Sequence, residues 1–413
     1  MTEDSAASAL AAWLERIEAM HPTEIELGLE RIRQVAHRLG VDTMPVPVIT
    51  VAGTNGKGST LRLMQALAER HGRRVCLYTS PHLHRFNERV RLPDGLASDQ
   101  QLCDAFAQVE QARLDISLTY FEFSTLAALW LFRQSGADLV LLEVGLGGRL
   151  DAVNIVDPDV AVVTSVGLDH QDWLGETREA IAGEKCGIAR PGRPLVFGEA
   201  DWPENLPALA KQYAAEPVFA GRDFCLDQQG LTLADGRELA FPGKVTLGRD
   251  NLATACQALI LAGVRVDAQD CAAVADVTLF GRCEFLQLQG RACWFDVGHN
   301  LPAVTRFLQL LPSCEGQRHL VFGMMADKPI DEVVALFAGQ PVNWHLAAPA
   351  MARAASPARL AAALPSQASC RQYGSVAEAL QGALDAAQRD DQVLIFGSFY
   401  TVAEARVSGE QGG

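Results

Sequence analysis

Residues 46–67 read VPVITVAGTNGKGSTLRLMQAL, and the order of residue types in this stretch decides the fold. An apolar, β-branched run over 46–51 enters Gly53-Thr54-Asn55-Gly56-Lys57-Gly58-Ser59-Thr60, and an amphipathic helical pattern leaves it over 57–69. Strand, glycine-rich turn and helix N-terminus gather backbone N–H groups and one ammonium around a point. That arrangement suits a polyphosphate, with hydroxyls placed for its divalent cation. A lysine at a helix start otherwise opposes the helix dipole, and a bound anion removes the objection. The general phosphate-loop pattern wants Gly at 51 and Ser or Thr at 58. Val51 and Gly58 stand there instead, which weakens a generic kinase or GTPase reading.

Outward from the loop, the strand pattern recurs over 74–78, 139–143, 160–164 and 194–197. Helical periodicity covers 101–114, 123–134, 177–189 and 250–263. Apolar runs alternating with helices predict an α/β fold with a mainly parallel sheet covered on both faces. Residues 218–245, with short alternating runs and Gln-Gly, Asp-Gly and Pro-Gly turns, read as a small antiparallel excursion. From about Phe280 the alternation restarts in CWFDV, HLVFGMM, VNWHLAAP and DQVLIFGSF. The expectation is a phosphate-loop domain over 1–287 and a smaller Rossmann-like α/β domain over 288–413, hinged near 281–290, with ligands beyond the carboxyl ends of strands. Residues 1–20 read as an amphipathic helix and 407–413 as a frayed tail.

Composition narrows the partners. The chain has 413 residues, 35 basic against 50 acidic side chains, a formal charge of −15 and 49% apolar residues, which exclude disorder and a small disulfide scaffold. So acidic a background argues against a nucleic-acid surface. No apolar run reaches membrane-spanning length, and the ten cysteines lie in apolar segments without CxxC pairs, so the expected compartment is the reducing cytoplasm. Only five of the 35 basic residues are lysines: Lys57, Lys185, Lys211, Lys244 and Lys328. Where Arg serves most surface charge, a Lys marks places suited to chemistry Arg cannot perform.

Three more strand ends carry polar groups: Ser80 in SPHLHRFNERV, Glu143 in LLEVGLGGRLDA, and Asp169-His170 after DVAVVTSVG. Each alone has a structural reading, as a turn cap, a buried carboxylate or a loop histidine. Together they supply donors for a cation bridging a nucleotide at the same sheet edge.

GTNGKGST, TSPHLHRFNERV, TYFEFSTLAA, LEVGLGGRLDAVN, SVGLDHQDWLGETREAIAGEKCGI, GRCE, FDVGHN and FGSFY occur in an order that resembles the bacterial bifunctional dihydrofolate synthase/folylpolyglutamate synthase family of the Mur ligase superfamily. The resemblance runs from about Trp13 to Tyr400. It implies an ATP- and Mg²⁺-dependent ligase, with two metal sites and Mn²⁺ able to substitute, acting on dihydropteroate, reduced folates and L-glutamate through an acyl phosphate. It further implies a monomer without nucleic-acid or membrane partners.

By motif position it implies that Thr54, Asn55, Gly56, Lys57, Gly58 and Ser59 bind phosphates, and that Ser80, Glu143 and His170 hold metal. Asn251, Arg282 and Asp296 contact the nucleotide in the same scheme. The resemblance also implies that Lys185 is carbamylated, which would turn a cation into a carboxylate. Met20, His21, Thr119, Tyr120, Phe121, Glu122, Leu150, Asp151 and Ala152 hold the pterin, and His299 and Ser398 recognise glutamate. The chain departs from the family at Gly298 and Leu301, and Pro302 restores the helix start. The 119–122 segment favours a dihydropteroate-using enzyme over a purely elongating synthase. A peptidoglycan ligase is expected to carry a UDP-recognising domain ahead of the loop, and a nucleotide-binding scaffold protein would need neither Glu143 nor His170.

Overall fold

The computed structural model describes residues 3–23 and 25–411. Two compact units divide after Val277. In the first, eight strands form one sheet: β1 (Val48–Ala52), β2 (Val75–Tyr78), β3 (Val90–Leu92), β4 (Gly95–Leu96), β5 (Leu139–Glu143), β6 (Val160–Val163), β7 (Pro194–Phe197) and β8 (Glu216–Phe219), in the order β4-β3-β2-β5-β1-β6-β7-β8. Every residue of β1, β2, β5 and β6 is buried, as expected of parallel strands covered on both faces.

The register positions the chemistry. Val51 pairs with Glu143, Ala52 with Val163, and Tyr78 with Leu142, all in parallel. The segments following β1, β2, β5 and β6 therefore leave the sheet at one edge. Helix Lys57–Arg70 follows β1 directly, and its buried residues, Leu61, Leu63, Met64 and Leu67 among them, explain its amphipathic pattern. Helix Tyr120–Gln134 starts in a capping box between Thr119 and Glu122.

A three-stranded antiparallel sheet, β9 (Cys225–Leu226), β10 (Gly230–Thr232) and β11 (Glu238–Ala240), is the expected excursion. It is shorter than 218–245, because β8 extends the main sheet in parallel with β7.

The second unit carries β12 (Glu284–Leu288), β13 (Arg291–Asp296), β14 (Arg318–Phe322), β15 (Val342–Leu346), β16 (Ser369–Gln372) and β17 (Gln392–Phe396), ordered β12-β13-β17-β14-β15-β16. Only β12 is antiparallel. It belongs to this sheet, so the structural division precedes the 287/288 boundary expected from sequence. Asp296 and Phe322 both register with Phe396, which brings the ends of β13, β14 and β17 to one edge.

The expected frayed tail over 407–413 is helical as far as it is described, within helix Phe399–Gln411, and Gly412 and Gly413 lie outside the described residues. The N-terminal helix spans Glu3–Glu18, and Met1 and Thr2 of the expected 1–20 segment lie outside the described residues. Among the described residues no helix is long and apolar enough to cross a membrane.

Candidate active site

The phosphate loop is shaped before any ligand arrives. Gly56 stands in the left-handed region at φ +86°, and a Cβ there would lie 2.7 Å from Asn251 Oδ1. Glycine alone fits, and Asn251 lies against the loop, its own Nδ2–H donating to Leu247 O at 2.7 Å. The strand end after β6 holds the other side: Thr54 N–H donates to Ser165 O, Asn55 N–H to Ser165 Oγ, both at 2.9 Å, and Thr164 Oγ1–H to Asn55 O at 2.6 Å. Gly56 caps helix Lys57–Arg70 without a side-chain acceptor. The first helical amides thus have no carbonyl of their own to bond, the condition for anion binding. Lys57 folds back over the loop, its Nζ donating to Gly53 O at 2.8 Å. Gly58 is half-buried and Ser59 buried beside it.

Glu143, 5% exposed, accepts Ser80 N–H at 3.1 Å, so the structure brings these two expected metal ligands together. His170 is exposed and held at φ +52°, a left-handed conformation uncommon outside glycine and frequent at functional sites. Among the described residues no three His, Cys, Asp or Glu side chains form a ready cation cage. The donors present fit a hard cation that keeps water and phosphate oxygens among its ligands, as Mg²⁺ does.

Lys185 lies in the last turn of helix Arg178–Cys186 and is 4% exposed, not the surface lysine a helical position would suggest. Burial, reinforced by the Lys57 charge, pushes its amine down to about 7. The GLGG segment is latched to this helix end. Arg149 N–H donates to Glu184 O at 2.8 Å, and a Cβ on Gly148 would come within 3.0 Å of the Glu184 and Lys185 carbonyls. The turn also places Asp151, 3% exposed, which accepts from Leu146 N–H at 2.8 Å and Val153 N–H at 3.1 Å. Burial raises its carboxyl to about 7, although those bonds and Lys57 pull it down. Two buried groups within the field of Lys57 therefore titrate near neutrality, a signature of functional sites.

The expected pterin residues divide. Phe121 packs on Tyr78 with ring centroids 5.9 Å apart, and Tyr120 meets Phe86 edge-on at 6.1 Å. Thr119 and Glu122 cap each other, Thr119 N–H donating to Glu122 Oε2 at 2.8 Å, and Arg31 Nη2 donates to both Glu122 oxygens at 3.3 Å. Glu122 thus has local partners already, and its role in the structure is to begin the helix. His21 Nε2 lies 3.2 Å from Glu26 Oε2, and Arg31 Nη1 binds the other oxygen, Glu26 Oε1. Met20 packs against the core, Leu150 is half-buried and Ala152 is buried.

In the second unit, Asp296 at the end of β13 accepts Cys283 N–H at 2.8 Å and Gly298 N–H at 2.7 Å, and burial raises its pKa against the pull of Arg282. The Arg282 guanidinium lies 5.0 Å from the Phe399 ring centroid. His299 Nδ1 lies 3.0 Å from Val297 O. Ser398, 3% exposed, has its hydroxyl bonded to Thr401 Oγ1 at 2.8 Å and accepting Thr401 N–H at 3.0 Å. It closes the start of helix Phe399–Gln411, locally a capping residue.

Sequence reasoning missed the groups behind the loop, Thr164 and Ser165, and the buried Arg89 beside Tyr120. The first pair was visible as hydroxyls at a strand end, in TSVG. Arg89 carried no signal that separated it from a surface arginine.

The Mur ligase middle domain pattern matches residues 51–195, and that of the Mur ligase glutamate ligase domain residues 281–399. The Escherichia coli dihydrofolate synthase/folylpolyglutamate synthase is 41% identical over 96% of this chain and 95% of its own length. The structure of E. coli FolC in complex with DHPP and ADP superposes with a TM-score of 0.91 at 40% identity, covering 98% of this chain and 99% of that one. A bifunctional folylpolyglutamate synthase/dihydrofolate synthase with Mn, AMPPNP and L-glutamate bound superposes with a TM-score of 0.88 at 40% identity, over 98% of both chains. The chain belongs to the bifunctional dihydrofolate synthase/folylpolyglutamate synthase family of Mur ligases.

Proposed function

We propose that this chain uses ATP to join L-glutamate to dihydropteroate, forming dihydrofolate, and to add glutamate to reduced folates. The observation that carries this reading is the convergence of the phosphate loop, the Ser80–Glu143 pair and the near-neutral pair Asp151 and Lys185 at one sheet edge. The family's relatives bound to ADP, AMPPNP, Mn and L-glutamate support nucleotide, cation and amino-acid substrates here.

An oxygen of the acceptor carboxylate attacks the γ-phosphorus of ATP, the bond to the β-phosphate oxygen breaks, and ADP leaves. The glutamate amino nitrogen then attacks the acyl carbon, inorganic phosphate departs and the nitrogen loses its proton. Such transfers depend on positioning and charge stabilisation. Lys57 and the amides of Asn55, Gly56, Gly58 and Ser59 neutralise phosphate charge, while Thr54 ties the loop to the strand end after β6. Ser80, Glu143 and His170 would hold Mg²⁺, or Mn²⁺ in its place, which when bound neutralises the β- and γ-phosphates. Asn251 fixes the loop from behind.

Lys185, neutral in part at pH 7, can add CO₂: its nitrogen bonds to carbon, an electron pair moves to oxygen and a proton leaves. The carbamate is an anion suited to a second cation. The aromatic wall of Tyr120 and Phe121, with Met20, His21, Leu150, Asp151 and Ala152, receives the pterin, and Thr119 and Glu122 hold the wall's start. In the second unit, Arg282 and Asp296 serve the nucleotide and His299 the glutamate, with Ser398 fixing the adjoining helix start. The chain works as a monomer in the cytoplasm. ADP release in the presence of glutamate, measured with dihydropteroate and with tetrahydrofolate as acceptor, tests the reading. Turnover with both is expected, turnover with tetrahydrofolate alone would mark a purely elongating synthase, and turnover with neither would refute a folate ligase.

A further inference from the structure

We propose that Arg89 anchors the carboxylate of the acceptor substrate, a specificity-determining contact that rests on the ligase reading above. Arg89 ends the 3₁₀ helix Phe86–Arg89 beyond the SPHLH segment and is 8% exposed. Its carbonyl accepts Thr79 N–H at 3.0 Å, and its Nε–H donates to His82 Nδ1 at 2.7 Å. The guanidinium lies 5.7 Å from the Phe86 ring centroid and 5.4 Å from that of Tyr120.

None of these neighbours is anionic. The adjacent Glu88 is committed to the backbone, accepting N–H groups of Leu83 at 2.7 Å, His84 at 2.9 Å and Arg85 at 2.7 Å. Glu122, two residues after Tyr120, is held by Thr119 and Arg31. Among the described residues no carboxylate pairs with Arg89.

Ring faces attract a cation without neutralising it. The imidazole accepts from Nε and leaves the two terminal nitrogens of the fork. A buried charge without a counterion is strongly unfavourable, so a fold that holds one rigidly is arranged for an anion that arrives later. A planar guanidinium with both terminal nitrogens available matches a carboxylate in bidentate fashion. The location agrees. Arg89 is bonded to Thr79 beside Ser80 on one side and stacked on Tyr120 on the other, between the proposed cation edge and the proposed pterin wall. Dihydropteroate is a flat pterin at one end and a carboxylate at the other, so a pterin on the wall directs its carboxylate past Arg89 toward the phosphates.

The test compares binding of dihydropteroate with binding of its neutral carboxamide in the presence of ADP, followed by pterin fluorescence. The intact protein is expected to prefer the carboxylate by roughly tenfold, the scale of one charge-assisted contact. Arg89→Gln should reduce that preference to within about twofold while ADP affinity stays unchanged and the melting temperature does not fall. Arg89→Lys, which keeps the charge without the fork, should fall between at roughly threefold and supplies the comparison if the glutamine variant does not fold. A full carboxylate preference in either folded variant, or none in the intact protein, would overturn the assignment. The ligase reading fails separately, through the absence of any ADP release from the intact protein with either acceptor.

Discussion

At the carboxyl edge of the first sheet, buried charges stand without full compensation: Lys185 is pushed down to about 7, Asp151 up to about 7, and Lys57 bears on both. At the corresponding edge of the second sheet, Asp296 takes two backbone N–H groups and Ser398 closes on Thr401. The first edge sets two amines, Lys57 and Lys185, around the buried Asp151, whereas the second holds a single buried carboxyl, Asp296, also raised by burial and opposed by Arg282. Chemistry that moves phosphate belongs at the first kind of edge, where preorganised charge meets charge that develops in the transition state. The second kind suits presentation of a substrate by rigid loops.

Substitutions can break this comparison, and the largest effect should come from Lys57→Ala. Its kcat should fall on the order of 10²–10³-fold, as when a charge-stabilising donor is removed. The melting temperature should stay near that of the intact chain, whereas the exposed Lys211→Ala should leave kcat unchanged. Equal losses at the two lysines would show that charge at the first edge is not special.

Lys185 should come next. Lys185→Met should depress kcat strongly, and removing bicarbonate should slow the intact enzyme while leaving the variant indifferent. Intact mass under native conditions, with a carbamate on Lys185 or without one, decides the point.

The same pair predicts opposite limbs in stability against pH. In bicarbonate-free buffer, where its amine is unmodified, Lys185 has its folded pKa lowered from 10.5 to about 7, so between those values the unfolded chain holds a proton that the folded chain lacks. Its contribution to stability should rise as pH climbs from about 7 toward 10.5. Asp151, raised from 3.8 to about 7, retains a proton that the unfolded chain has released, so its contribution should fall as pH climbs through that window. Urea midpoints across pH check both signs, with Asp151→Asn flattening the acid limb and Lys185→Met the alkaline one.

Ser398 and His345 in the second unit should give the smallest effects on catalysis and visible ones on stability. Ser398→Ala should cost about 1 kcal/mol through the lost cap. One residue short of the carboxyl end of β15, His345 lies 3.2 Å from His319 and 2.9 Å from the Tyr373 hydroxyl, and burial lowers its pKa from 6.5 to about 4. Stability of this unit should be lost as pH falls from 6.5 toward 4, and His345→Asn should remove that slope with kcat within about twofold. A large loss of kcat there would contradict a purely structural role for the His319–His345–Tyr373 chain.

Much of the fold was legible because parallel strands buried on both faces write continuous apolar runs: residues 139–143 and 194–197 read as strands are β5 and β7. What escaped were short edge strands. β16 is exposed at every residue and so carries no apolar pattern, and β4 has only two residues. At the site, Lys57 was legible because its glycines impose a turn geometry. Lys185 was legible only through the family resemblance, since its helical pattern alone suits a surface position. Asp151 was named for a substrate contact, and its displaced titration comes from long-range burial, which no local pattern encodes. Glu122 was read as a pterin acceptor, and its capping partner Thr119 was visible three residues earlier as the sign of a second role.

The central claim is that the acceptor carboxylate is activated by direct transfer of phosphate from ATP. It is tested most directly with dihydropteroate carrying ¹⁸O in both carboxylate oxygens, turned over with ATP and L-glutamate in unlabelled water. The account predicts that each inorganic phosphate released carries one ¹⁸O, transferred with the bond that formed to phosphorus. Unlabelled phosphate alongside labelled amide product would contradict it.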